Sequence, residues 1–273
     1  MSNKINKKSE DKGLIIKSSE DTVKGLLKDK GKIIRRTLSV EEIKLYTATK
    51  RLSESELREH LEQNPTAKFH WFCLGLRLAK EARYEEAIPA FQKTIEYLPE
   101  AAGAWIGLGV ALMELSRLNE AEYYLTEALN IEPESPQGWY NLGVVYNRMG
   151  RFEDSERALT EAVALESGYE QAWLALAVMH YRLGRNEAAR RVFENIVSIN
   201  PRCIDAWVPL GELLLKNGEY EKAEEIFRKV LDWDSRNGNA WYNLGTILEI
   251  KGENRDAEYA RSMAQRYGTS LDE

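Results

Sequence analysis

Six tryptophans, Trp71, Trp105, Trp139, Trp173, Trp207 and Trp241, stand 34 residues apart in this 273-residue chain without one slip. A fixed period of that length calls for one supersecondary unit, repeated, in which each copy buries its apolar face against its neighbours instead of in a private core. The seventh tryptophan, Trp233, stands outside the register. It is expected to pack at the end of a second helix, beneath the following repeat.

Offsets from the tryptophan assign the other places in the unit. Three residues on stand Leu74, Leu108, Leu142, Leu176, Leu210 and Leu244, followed at once by Gly75, Gly109, Gly143, Ala177, Gly211 and Gly245. Sixteen residues on stand Ala87, Ala121, Ser155, Ala189, Ala223 and Ala257, and twenty residues on Phe91, Leu125, Leu159, Phe193 and Phe227. Small residues on both stretches let two helices cross closely. Gly150, Gly184, Gly218 and Gly252 fall where a first helix must end, and supply the left-handed residue that closes it. Pro99, Pro133 and Pro201 mark the ends of second helices. Each unit therefore reads helix, tight turn, helix, short turn.

With the strings AWIGLG, GWYNLG and AWYNLG added, residues 68 to about 267 resemble the tetratricopeptide repeat family. The resemblance implies an all-α fold, a right-handed superhelical solenoid of antiparallel helix pairs whose first helices line a concave surface. The expected division is a basic, flexible leader (1–37), N-terminal capping helices (38–67), and repeats at 68–101, 102–135, 136–169, 170–203 and 204–237. A sixth repeat and cap (238–267) and a tail (268–273) complete it. Ser39 with Glu42 and Ser53 with Glu56 have capping-box spacing, and Leu57, Leu61 and Pro65 imitate a second helix. In the last unit Arg261 takes the place of the Phe or Leu, so that this helix reads as a polar C-terminal cap. Pro209, inside a first helix, is expected to bend it, whereas Pro89 is placed nearer its helix start and is easier to accommodate.

Residues one, five and eight places after each tryptophan point about 130° away from the tryptophan stripe and are expected to line the groove. The partner-binding candidates on it are Phe72, Leu76, Ile106, Val110, Met113, Tyr140, Val144, Asn147, Leu174, Val178, Tyr181, Glu212 and Tyr242. Asn141 joins them from the next place, and Arg148, Arg182 and Lys216 from the rim. The stripe is apolar and aromatic in the first four units and mixed and acidic in the last two. Part of it is expected to be core, because first helices this apolar also pack on each other. Six helices about 8–10 Å apart span roughly 50 Å, room for an extended peptide of about 15 residues or for a helix. A carboxylate clamp like that of the chaperone-tail receptors in this family does not fit: Asn141 and Asn243 match its middle Asn, but the neighbouring helices lack its basic partners.

Charge is unevenly placed. The net −6 divides into +6 over residues 1–36 and −12 over the remainder, a basic leader before an acidic body. Cys73 and Cys203 are isolated, and His60, His70 and His180 are scattered, so neither a disulfide nor a metal site is signalled. His180 reads as a core imidazole. No phosphate loop, nucleophile elbow or metalloprotease motif is present. The start of the chain lacks an apolar signal segment and no stretch reaches 18 apolar residues, so a cytoplasmic protein without a membrane span is expected. The function expected is a non-enzymatic scaffold or adaptor that holds a partner peptide or helix, with no cofactor and no small-molecule substrate. The alternatives are a regulatory or assembly subunit of a separate enzyme, and nucleic-acid contact through the leader, which the acidic body disfavours.

Overall fold

The computed structural model describes residues 40–268. The leader, the Ser39 half of the first capping box and the tail from residue 269 onward lie outside the described residues. Fourteen helices and no strand occur among the described residues. They are α1 (Val40–Thr49), α2 (Glu54–Gln63), α3 (Lys68–Lys80), α4 (Tyr84–Tyr97), α5 (Ala102–Glu114), α6 (Leu118–Ile131) and α7 (Pro136–Arg148). They continue as α8 (Phe152–Leu165), α9 (Glu170–Arg182), α10 (Asn186–Ile199), α11 (Ile204–Lys216), α12 (Tyr220–Trp233), α13 (Gly238–Ile250) and α14 (Asn254–Tyr267). From α3 onward, 13-residue and 14-residue helices alternate without exception. The described residues fall into two compact units, up to Ala172 and from Trp173.

In the unit ending at Ala172, Ser53 opens α2 with the expected capping box: its hydroxyl accepts from the Glu56 amide at 3.3 Å, and Glu56 Oε2 accepts from the Ser53 amide at 2.7 Å. Such a cap contributes about 1 kcal/mol. Sequential helices pack pairwise, each second helix also meets the next first helix, and first helices meet one another, α3 with α5 and α5 with α7. The reason is visible at the small residues. A Cβ on Gly75 would lie 2.8 Å from the Phe91 ring, and one on Gly107, from the following first helix, 2.6 Å from it. Phe91 is thus wedged between two helices at 0% exposure. Gly109 and Gly143 face Leu125 and Leu159 in the same way, at 2.7 and 2.8 Å. Ser155, where other units carry Ala, is fully buried and donates its hydroxyl to the Gly143 carbonyl at 2.7 Å.

The unit from Trp173 repeats these devices. Phe193 and Phe227 are fully buried, and a Cβ on Gly211 would meet the Phe227 ring at 2.7 Å. Helix α11 contacts α13 as α3 contacts α5. At the last crossing Arg261 stands in for the aromatic, and a Cβ on Gly245 would lie 3.2 Å from its Cγ, the flexible part of a side chain. Helix α11 continues unbroken through Pro209, as α4 does through Pro89; both prolines are the sixth residue of their helices, so the expected difference in their placement is absent.

The tryptophans tie turns to helices in both units. The indole N–H donates to the carbonyl six residues earlier: Trp71 to Pro65, Trp105 to Pro99, Trp139 to Pro133, Trp207 to Pro201 and Trp241 to Ser235, at 2.7–3.0 Å. The carbonyl belongs to the turn that precedes the helix, so the hydrogen bond fixes the angle at which each pair enters. The ring contact of Trp233 is with Trp207 of its own helix pair, 6.2 Å between centroids, with Lys229 Nζ 4.5 Å from the Trp207 ring centroid.

Candidate functional site

The first-helix stripe divides by exposure. In the unit ending at Ala172, Phe72, Leu76, Ile106, Val110, Met113, Tyr140, Asn141, Val144 and Asn147 are all buried. Here α3, α5 and α7 contact one another, and side chains facing the shared side fill the space between them. Tyr140 packs its ring 5.2 Å from that of Tyr169. Asn141 donates its side-chain amide to the Gln137 carbonyl at 2.8 Å. Arg148 is exposed but engaged, donating to the Met113 carbonyl at 2.9 Å and to Glu114 at 3.0 Å, which caps the end of α5.

In the unit from Trp173 the stripe is more open. Val178 is buried, Leu174, Tyr181, Arg182 and Glu212 are partly exposed, and Lys216 and Tyr242 are exposed. Lys216 holds its ammonium 5.3 Å from the centroid of the Tyr181 ring, a cation–π distance. Tyr242 accepts at its carbonyl from Thr246 Oγ1, 3.1 Å away. Glu249, at the end of the stripe, is paired with Arg261. Glu212 accepts from the Asn243 side-chain amide at 3.3 Å, and burial pushes its carboxyl up to about 7, a shift the Asn243 hydrogen bond only partly offsets.

Two features escaped the sequence reading. The first residue before each second helix forms a charged register at the tight turn. Arg83 binds Glu54 and Glu86, Arg117 binds Glu120, and Arg151 binds Glu122 and Asp154, at 2.7–2.8 Å. In the other unit Arg185 keeps an arginine before α10, while Glu219, before α12, receives Arg190 and Lys222 at 2.6 and 2.7 Å. The signal was available as a periodic Arg, but it concerns turns and not the stripe. The second feature is His60 Nδ1, 3.1 Å from His70 Nε2, between helices whose contact no period announces. His70 is lowered from its ordinary value, chiefly by burial and then by His60. Among the described residues no group of three or more His, Cys, Asp or Glu could hold a metal ion. Cys73 is buried, which pushes its thiol up to about 12 and makes it a poor nucleophile. A surface concavity of about 460 Å³ between α7 and α8, lined by Trp139, Tyr146, Asp154 and Arg157 among others, shares no residue with the stripe. No described helix is long and apolar enough to cross a membrane.

Models of the tetratricopeptide repeat match residues 74–138, 140–202 and 180–248. No curated protein sequence matches the chain. Among solved structures, YrrB, described as a TPR protein with an unusual peptide-binding site, is 23% identical with a TM-score of 0.55, over 65% of this chain and 92% of its own. PilF of Pseudomonas aeruginosa is 20% identical with a TM-score of 0.64, over 77% of this chain and 90% of its own. A tetratricopeptide repeat protein of Parabacteroides merdae is 17% identical with a TM-score of 0.61, over 91% of this chain and 94% of its own. At these identities the likeness is one of fold.

Proposed function

The chain belongs to the tetratricopeptide repeat family, and from that premise we propose that it is a non-enzymatic adaptor whose first-helix stripe holds a peptide or helix of a partner protein. The fold is typical of protein–protein interaction scaffolds. The observation that carries the reading is the contrast between interior and stripe. The repeated large and small residues are used up in packing, while Tyr181, Glu212, Lys216 and Tyr242 vary from unit to unit and keep exposure. Exposed tyrosines supply large, rigid contact area at low entropic cost, as binding surfaces do. Leu174 and Arg182 extend the same face. The candidates from Phe72 to Asn147 are buried within their own unit and are not contact residues in this reading. A cytoplasmic place and a partner that is neither nucleic acid nor small molecule belong to the same reading.

Affinity purification with the intact chain against a Tyr181→Ala, Tyr242→Ala double variant tests it. Proteins captured by the wild type and lost from the variant support the stripe as the binding surface. Identical captured sets refute it and move binding to the second helices or the leader.

A further inference from the structure

The fifth place after each tryptophan holds Leu76, Val110, Val144, Val178, Glu212 and Thr246, so one acid interrupts a row that is otherwise apolar or neutral. Glu212 has no ion-pair partner among the described residues; its one hydrogen bond is the 3.3 Å contact from the neutral Asn243 amide, which also donates to the Asn239 carbonyl at 3.0 Å. Lys216 stands four residues on, the spacing at which Glu and Lys pair on a helix, yet its ammonium lies against Tyr181 instead. Glu249, the other acid of the stripe, is already neutralised by Arg261. Burial raises the Glu212 carboxyl to about 7, the mark of an anion poorly solvated by water and uncompensated by charge. Such a group gains most when a cation is brought to it.

We propose that Glu212 selects, on the first-helix face of the unit from Trp173, a partner peptide carrying a lysine or arginine beside apolar side chains. The cation pairs with the carboxylate, and the aliphatic stem and neighbouring apolar residues lie along Leu215, Tyr181 and Tyr242, which all keep part of their surface exposed. Charge complementarity argues for this occupant: an acidic or neutral peptide leaves the carboxylate without a counter-charge and covers it from water as well. The inference rests on the adaptor reading above and adds the chemistry of the ligand.

A random 12-residue peptide library displayed on phage and panned on the full chain at pH 8 tests both levels. Selected peptides are then titrated calorimetrically against the wild type, Glu212→Gln and Tyr242→Ala, each also as a version with its Lys or Arg replaced by Gln. Expected are sequences enriched in Lys or Arg next to apolar residues. Their binding should weaken about tenfold in Glu212→Gln, and the neutralised peptide should bind both proteins alike. Peptides that need Tyr242 but show no basic preference, or basic peptides indifferent to Glu212→Gln, overturn the proposal and leave the adaptor reading standing. Failure to select any peptide, or binding indifferent to Tyr242, overturns both. Glu212→Gln keeps the shape and the Asn243 hydrogen bond, and melting of each variant separates lost binding from lost folding.

Discussion

The two units are built from the same helices and differ in what they do with the stripe. Up to Ala172 the positions one, five and eight after the tryptophan are, Asn147 excepted, apolar or aromatic, and all are buried, so that the stripe there acts as a second core. From Trp173 the same positions carry Glu212, Thr246 and Glu249 as well as tyrosines, and several keep contact with water. At the tight turns the change comes later: Arg83, Arg117, Arg151 and Arg185 precede four second helices in turn, and Glu219 and Glu253 the last two. A repeat architecture can therefore keep its packing rule constant while one stretch contributes stability and another contributes chemistry.

The two units should differ most at the residue that locks two helices at once. Phe91→Ala should cost about 3–5 kcal/mol, since it empties a site enclosed by Gly75 and Gly107. Arg261→Ala, at the equivalent place in the last pair, should cost a small fraction of that, and chemical denaturation of the two variants reads the difference. A smaller effect of the same kind follows at the facing glycines. Gly211→Ala forces a Cβ to within 2.7 Å of Phe227 and should cost about 1–3 kcal/mol, whereas Gly245→Ala meets the movable Arg261 at 3.2 Å and should be nearly neutral.

Glu212 distinguishes the units by pH. Its carboxyl is raised in the folded chain to about 7 from the ordinary value of 4.5, so the neutral form is favoured by folding. The corresponding stability is present below about pH 4.5 and lost as pH rises through 7. Relative to the wild type, Glu212→Gln should therefore gain about 3 kcal/mol of stability between pH 4 and pH 8. Melting curves at the two pH values decide this, and a gain of the same size at both would contradict it.

The smallest expected effect sits in the turns of the other unit. Ala82 and Ser116 occupy the left-handed conformation, with φ of 57° and 59°, where Gly150, Gly184, Gly218 and Gly252 stand in later pairs. Ala82→Gly and Ser116→Gly should each stabilise by about 0.5–1 kcal/mol, because a Cβ is strained there.

These turns also show what could be read in advance and what could not. The helix order was legible because a 34-residue tryptophan period, small residues at crossings and glycines at four turns all speak of local backbone and packing. Ala82 and Ser116 carry no such signal, yet their turns close identically, with the amide of the next residue donating to the carbonyl five back at 2.9 Å. The turns close in the same way although neither residue favours a positive φ. The stripe was legible as a register but not as a surface. Whether Ile106 or Val144 meets solvent depends on how closely successive first helices approach, which periodicity does not encode. Glu212 was legible as an acid among apolar neighbours; that Lys216 turns to Tyr181 and leaves it uncompensated emerges only from side-chain placement.

In the proposed function, partner contact is made by the first-helix stripe of the unit from Trp173. Amide chemical-shift mapping of the isotope-labelled full chain, titrated with a peptide selected on it, tests this most directly. Perturbations should concentrate on α9, α11 and α13 around Tyr181, Glu212, Lys216 and Tyr242. Perturbations concentrated on α10, α12 and α14, with those residues unmoved, would contradict it.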